Sequence, residues 1–324
     1  MTPSPAIPLV RRFPALASVP RAELGRFPTP VEQLRDLSPR LWIKRDDLCG
    51  NPLGGNKVRA LEFLLGGLKP EERIVTVGSV GSTHALAVVT YGKRVGATVG
   101  VGRWRQEMNP AAERVAERLT RDIRRDPAPT FRSPLGAYAW ALRERLRGAR
   151  MIAAGGSAPL GVLGHVNAGL ELVEQIDAGQ LPQPTYVIVP LGTGGTMAGL
   201  ALAFAIAKRD ITVIGARVVP RLVGRRARVL RLARRTAALI ERATNETLPR
   251  VQPSAVQIVH DVYGGAYGRE TAAARAAGER LRAVSSIRLD ATYSAKAFVL
   301  ALELAVREPT LFWLTFDSRI LAAT

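Results

Sequence analysis

A chain of 324 residues can bury a large core, in one compact unit or in two closely packed domains. Its 47% apolar content argues against a disordered polymer, and its longest apolar stretch, Thr185 to Ala207, is divided by Pro190 and the glycines between Gly192 and Gly195, which argues against a bilayer span. The net charge of +19 sits almost wholly on arginine, since lysine occurs only at positions 44, 57, 69, 93, 208 and 296, so an anionic partner has to be weighed.

In chain order, Leu41 to Lys44 reads as a strand and Lys57 to Leu65 as a helix, with Leu61, Leu64 and Leu65 at helical spacing. A strand at Ile74 to Val77 precedes a turn and a helix from Thr83 to Val95, and a further strand spans Thr98 to Val101. Helices are predicted near Pro110 to Leu119 and Tyr138 to Arg147, then a short strand at Met151 to Ala153 and a helix at Val162 to Ile176. Strand Tyr186 to Val189, a glycine-rich loop, helix Met197 to Ala207 and strand Thr212 to Val218 follow. The C-terminal part adds helices near Arg269 to Arg282 and Ala295 to Val306, then strand Leu311 to Thr315. Strands alternating with helices imply an α/β fold of open, mainly parallel twisted sheets flanked by helices.

The first residues, MTPSPAIPLVRRFPAL, lack a basic start followed by a continuous apolar run, so no secretory signal is read. The single cysteine, Cys49, allows no intramolecular disulfide, which fits a reducing cytoplasm. The densest basic run is Arg217 to Arg235, with RRARVLRLARR at its centre. Such a helix can attract nucleic acid, but Val229, Leu230, Leu232, Ala233 and Leu239 can equally supply a buried face, and the amphipathic reading is preferred. No zinc-ligand spacing and no aromatic stacking signature accompany it, and no metal site is expected.

Three loops carry candidate chemistry. Gly54 and Gly55 permit an unusual backbone path, Asn56 is a candidate N-cap, and Lys57 then falls in the first turn of a helix, where the dipole disfavours a positive charge. Such a lysine is either a reactive amine or an exposed helix-start residue; spacing alone leaves both open. Gly192-Thr193-Gly194-Gly195-Thr196 lies between a strand and a helix, where backbone N–H groups and the helix N-terminus form an anion cradle. Full dinucleotide spacing and the P-loop lysine are both absent, so a small phosphate fits better. Gly81-Ser82-Thr83-His84 is the third strand–helix turn.

The strings KRDDL and GGNKVRALEFL, then VTVGSVGSTHALAVV, AAGGSAPLGVLGHV, PLGTGGTMAGL, YGGAYG and LDATYSAKA, resemble in their order the 1-aminocyclopropane-1-carboxylate deaminase and D-cysteine desulfhydrase family. The resemblance implies the tryptophan synthase β-like fold, with residues 1–45 and 160–324 forming a larger cofactor-binding domain and 46–159 a smaller one that carries the lysine and the Ser82 loop. It also implies pyridoxal 5'-phosphate as cofactor, bound as a Schiff base to Lys57, and a homodimer. Carried over position by position, Asn56, Thr83, Thr315 and the loop from Gly192 to Thr196 hold the cofactor. Lys57, Ser82 and Tyr293 are catalytic, and His84, Ser157 and Tyr267 are substrate-pocket candidates. For His84 a structural hydrogen bond is the favoured role, and Lys296 reads as a helix residue with a structural role and not as a rival Schiff base.

The chain departs from the family pattern at several of these positions. Thr83 stands where the family has asparagine. Ser294 stands where ring-opening members carry glutamate and desulfhydrase-like members threonine. Thr315 is followed by Phe316 and Asp317 where the family has two glycines, and Ala158 and His165 replace an asparagine and a tyrosine. Asp317 either reaches the cofactor ring or pairs with Arg319. The reading is a lyase or deaminase that releases ammonia and a 2-oxo acid from a small amino acid, like D-cysteine desulfhydrase. A diverged homologue with another substrate or no turnover is the alternative, and an arginine-rich nucleic-acid binder a third.

Overall fold

The computed structural model of the chain describes residues 6–317 and 319, apart from 52, 124 and 125. Residues 1–5 and 320–324, at the outer ends of the expected larger domain, lie outside them.

A short helix, α1 (Pro8–Arg12), precedes the antiparallel pair β1 (Val31–Gln33) and β2 (Leu41–Arg45). Helix α2 (Asn56–Leu64) leads into a strictly alternating run: β3 (Arg73–Ser79), α3 (Thr83–Arg94), β4 (Thr98–Trp104), α4 (Pro110–Asp122), β5 (Thr130–Phe131), α5 (Pro134–Leu146) and β6 (Arg150–Ile152). A second run follows, with α6 (Pro159–Asp177), β7 (Tyr186–Leu191), α7 (Gly195–Ile206), β8 (Thr212–Arg217), α8 (Arg226–Thr244) and β9 (Val256–Val259). Helices α9 (Ala272–Val284) and α10 (Ser294–Leu304) precede β10 (Thr310–Leu314).

The larger sheet has the order β1-β2-β10-β7-β8-β9, parallel except for β1. The smaller sheet, β5-β4-β3-β6, is parallel throughout. The expected architecture of two open, mainly parallel sheets flanked by helices is what the chain adopts. Successive side chains of a strand point to opposite faces, so Val187 and Val189 enter the core under α6 and α7 while Ile188 enters the core under α10. Phe312, also on that second face, meets Phe298 of α10 edge-on, at 5.0 Å between ring centres. Strands apolar on both faces are what a doubly covered parallel sheet demands.

The element boundaries differ where a start signal outranks periodicity. Helix α5 begins at Pro134, whose fixed φ suits the first helical turn, and not at Tyr138. Helix α9 begins after Thr271, whose hydroxyl accepts the Ala274 N–H at 3.2 Å. The sequence pattern does not predict strands β1, β5 and β9, none of which exceeds four residues. The basic helix α8 is amphipathic, but its buried face is Val229, Leu232, Ala233, Thr236, Ala237 and Ile240, with Leu230 and Leu239 only half-buried. Among the described residues no helix is long and apolar enough to cross a membrane.

In a parallel sheet the loops after the strands gather at one edge. The loops after β3, β7 and β10 do so here and enclose a common cavity.

Candidate active site

Strand β10 and helix α2 are joined at their ends. The Asn56 N–H donates to the Thr315 carbonyl at 3.1 Å, and Gly55 forms an antiparallel bridge with Phe316. Gly55 sits at φ +111°, and a Cβ there would lie 2.6 Å from the Thr315 oxygen, so the approach requires glycine. Gly55, and not Asn56, is the N-cap of α2, and it provides no side-chain cap. The expected capping role of Asn56 is therefore corrected. Its Nδ2 donates to Thr196 Oγ1 at 2.7 Å, and its Oδ1 accepts from Lys57 Nζ at 3.0 Å. Asn56 ties the lysine to the glycine loop. Burial pushes the Lys57 amine down to about 8, as expected for a cation removed from water.

Beneath α2 lies a buried ionic network. Arg59 Nε donates to Asp46 Oδ2 at 2.8 Å and its Nη1 to Glu171 Oε2 at 2.9 Å; Lys44 Nζ donates to Glu171 Oε1 at 2.6 Å. Trp313 of β10 completes it, with Nε1 2.7 Å from Asp46 Oδ2. Burial alone would push the Glu171 carboxyl up, but Arg59 and Lys44 outweigh it and hold it at about 2. The network fixes α2 against β2, α6 and β10 from below while Lys57 faces the cavity above.

The glycine loop connects β7 to α7. Gly194 caps the helix at φ +92°, a conformation that side chains oppose, and a Cβ there would lie 3.1 Å from Val229 Cγ2 of α8. A Cβ at Gly192 would meet nothing nearer than Tyr293 Cε1 at 3.8 Å, so the space before the loop is open. The first N–H groups of α7 have no acceptor within the helix. From behind, Arg228 Nε donates to the Thr193 carbonyl at 3.2 Å. Ser157, expected in the substrate pocket, lies outside the cavity wall, its hydroxyl 2.5 Å from that of Thr193.

On the smaller sheet, Ser82 caps α3 by accepting the Ala85 N–H at 3.2 Å, and Thr83 and His84 line the cavity beside it. Thr76 donates to the Ile152 carbonyl at 2.9 Å, so its oxygen receives the His84 Nε2 proton at 3.0 Å. His84 Nδ1 is buried without a partner. Burial, then the Lys57 charge, push His84 down to about 3. The ring is neutral, in keeping with a structural role.

Tyr267 and Tyr293 form the opposite wall. Their hydroxyls are hydrogen-bonded to each other, and their rings meet edge-on at 5.8 Å. Burial raises both phenols, so both keep their protons at neutral pH. Buried Asp290 fixes the turn before α10 by accepting the N–H groups of Tyr293 and Ser294, at 2.7 and 3.0 Å. Lys296 donates to the Tyr263 carbonyl at 2.7 Å and does not line the cavity. Thr315 lines it. Asp317 does not: its carboxylate is taken by Arg319, at 2.7 Å, and by the Gly54 N–H, at 2.9 Å. Phe316 is buried in the core of the smaller sheet, so its bulk is not in the cavity.

The cavity measures about 570 Å³. It brings together Lys57, Ser82, Thr83, Tyr267, Tyr293, Thr315 and the loop from Gly192 to Thr196. Trp104 and Tyr138, which the sequence does not mark as site residues, stack at 6.3 Å on its wall. Nor does the sequence mark Arg228 as a support of the glycine loop. Their relation to the site is long-range, and no local motif signals it. The arrangement fits pyridoxal phosphate: an open glycine cradle at a helix N-terminus for the phosphate, and a depressed amine tethered to it through Asn56 and Thr196.

Comparison with known proteins agrees. A family model described as pyridoxal-phosphate dependent enzyme matches residues 22–312. A Pyrococcus horikoshii protein provisionally named 1-aminocyclopropane-1-carboxylate deaminase is 32% identical, with 90% of this chain and 89% of that protein covered. The nocardicin C-9' epimerase of Nocardia uniformis is 32% identical with 94% of each covered, and a D-cysteine desulfhydrase of Salmonella paratyphi C is 29% identical with 87% of each. A crystal structure described as an ACC deaminase homologue superposes with a TM-score of 0.78 at 27% identity, covering 99% of both chains.

Proposed function

The chain belongs to the pyridoxal-phosphate dependent enzymes, and from that premise we propose that it eliminates a β-substituent from a small amino acid, releasing ammonia and a 2-oxo acid in the manner of D-cysteine desulfhydrase. The observation that carries this reading is the position of Asp317. Its carboxylate is held away from the cavity by Arg319 and Gly54, which leaves neutral Thr315, just after β10, as the group that faces the site there. With pyridoxal phosphate bound, a neutral hydroxyl from Thr315 would leave the ring less strongly polarised than a carboxylate would, which suits β-elimination. Ser294, which follows Tyr293, is buried and does not line the cavity, so α10 presents no carboxylate beside Tyr293, which supports elimination over ring opening.

Bound pyridoxal phosphate supplies an electron sink for negative charge at the substrate α-carbon. The protein's own part is placement and proton transfer. The loop from Gly192 to Thr196 binds the phosphate, with Arg228 bracing it from behind. Asn56 orients Lys57, whose amine would hold the cofactor and whose free Nζ would take the substrate α-proton. Ser82, at the mouth of α3, faces the substrate carboxylate. The protonated pair Tyr267 and Tyr293 closes the wall and has a proton to pass to the leaving group. The same reading makes the protein a homodimer of two-domain subunits, divided as 1–45 with 160–324 and 46–159; each sheet being drawn wholly from one of these segments supports the division.

The test is 2-oxo acid release from D-cysteine, β-chloro-D-alanine, their L forms and 1-aminocyclopropane-1-carboxylate. Turnover of either D substrate without the cyclopropane substrate is expected. Turnover of the cyclopropane substrate alone would overturn the reading. The epimerase relative defines the second reading: exchange of the α-hydrogen with deuterated solvent, with no 2-oxo acid formed, favours epimerisation.

A further inference from the structure

We propose that Asn109 is a positioning residue that locks the substrate-facing wall of the site across the two sheets. It rests on the reading above only for the role of the tyrosines.

Asn109 precedes α4, on the smaller sheet's side of the cavity. Its Oδ1 accepts the Ala112 N–H at 2.9 Å, the ordinary bond of a helix cap. Its Nδ2 does something a cap does not require. It donates to the Gly268 carbonyl at 2.6 Å and to Thr292 Oγ1 at 2.9 Å. Gly268 directly follows Tyr267, and Thr292 directly precedes Tyr293. One buried amide thus holds both segments that present the tyrosine pair.

The same turn also meets the Ser82 loop. A Cβ at Gly81 would lie 2.7 Å from the Cβ of Ala112 and 2.9 Å from its carbonyl oxygen, so the chain before Ser82 rests directly on the first turn of α4. Beside it, Arg269 reaches back to Glu107 with bonds of 3.1 and 3.2 Å. That pair is exposed and contributes little by itself. The bonds of Asn109 are buried, and leaving their acceptors unpaired is costly. Ser82, Tyr267 and Tyr293 come from three separate loops. Asn109 and its helix turn are where all three are fixed relative to one another, while Lys57 and the phosphate loop are held independently by Asn56, Arg59 and Arg228.

Two substitutions separate the cap from the lock. Asn109→Ser keeps a capping oxygen and loses both cross-sheet donors, whereas Asn109→Ala loses all three bonds. Both are studied as holoenzymes. The expected result for Asn109→Ser is cofactor affinity within about twofold of the parent, faster amide hydrogen exchange in residues 264–270 and 290–294, and unchanged exchange in 192–196. On whichever substrate the panel identifies, KM should rise and kcat fall, about tenfold each, with Asn109→Ala matching it kinetically but melting lower. Parental exchange in those segments, or faster exchange with parental KM and kcat, would overturn the proposal. If no amino acid is turned over even by the parent, the exchange pattern still decides on the lock, and it is the proposed reaction that fails.

Discussion

The Asn56 N–H and the Thr315 carbonyl are 3.1 Å apart, so the helix carrying Lys57 starts on the residue that follows strand β10. Groups distant in the chain therefore share one rigid frame. The amine on one side of the cavity and the hydroxyl on the other keep their separation without help from a flexible loop.

Lys57→Ala should abolish the visible absorption of the bound cofactor and the covalent adduct fixed by borohydride. No other lysine lines the cavity among the described residues, and Lys296 is occupied by the Tyr263 carbonyl. Mass spectrometry of the borohydride-treated variant is the check; an adduct elsewhere would refute the assignment.

Cofactor capture should depend on pH in a defined direction. The Lys57 amine, pushed down to about 8 by burial, is charged below that pH and neutral above it, and the neutral form is the nucleophile. In cofactor-free protein the rate of adduct formation should rise about tenfold per pH unit below 8 and level off above it. Stopped-flow absorbance across this range measures it, and a midpoint near the ordinary lysine value would contradict the burial argument.

Gly194→Val should weaken cofactor retention far more than folding. The left-handed backbone costs a substituted residue about 1–2 kcal/mol, and the added carbons press on Val229. The loop then shifts away from its phosphate-binding shape. Affinity for pyridoxal phosphate should fall at least tenfold while affinity for pyridoxal, which lacks the phosphate, changes little. Equal losses for both would place the phosphate elsewhere.

Arg59→Met should be severely destabilising. It leaves Asp46 and Glu171 buried without their guanidinium, and breaking such a pair costs about 3–5 kcal/mol. Urea unfolding gives the value. Lys57→Ala, only two residues earlier, should move the midpoint far less, because its amine has no ionic partner in the network.

Much of this architecture is legible in the sequence because parallel strands and covering helices leave strong apolar patterns, as at Tyr186 to Val189 and Met197 to Ala207. The glycine loop and the lysine turn are legible for a similar reason: their backbone shapes demand particular residues close together in the chain. What escaped the sequence reading is contact between distant segments. Asn56 looks like a cap because it precedes a helix, yet its side chain is drawn to Thr196. Phe316 looks like an intruder in the site, yet the Gly55 bridge turns it into the core. Asn109 is legible as a helix cap and Arg228 as part of a basic helix, but neither shows locally its bond to the site, since the Gly268 carbonyl and Thr292 hydroxyl that Asn109 reaches and the Thr193 carbonyl that Arg228 reaches are far away in the chain.

Strand β10 lies between β2 and β7 in the larger sheet, yet the ribosome makes it after both. Until residues 310–314 emerge, the growing chain has a gap in the middle of that sheet, with two unpaired edges facing it. Closing the gap joins segments from opposite ends of the described chain, the kind of long-range pairing that forms slowly. Trp313, which caps the Asp46 network, and Thr315, which anchors Asn56, arrive with the same strand. Neither the core ionic network nor the cofactor site is complete until this late strand is inserted, and unpaired sheet edges of this kind are what aggregation and proteolysis act on.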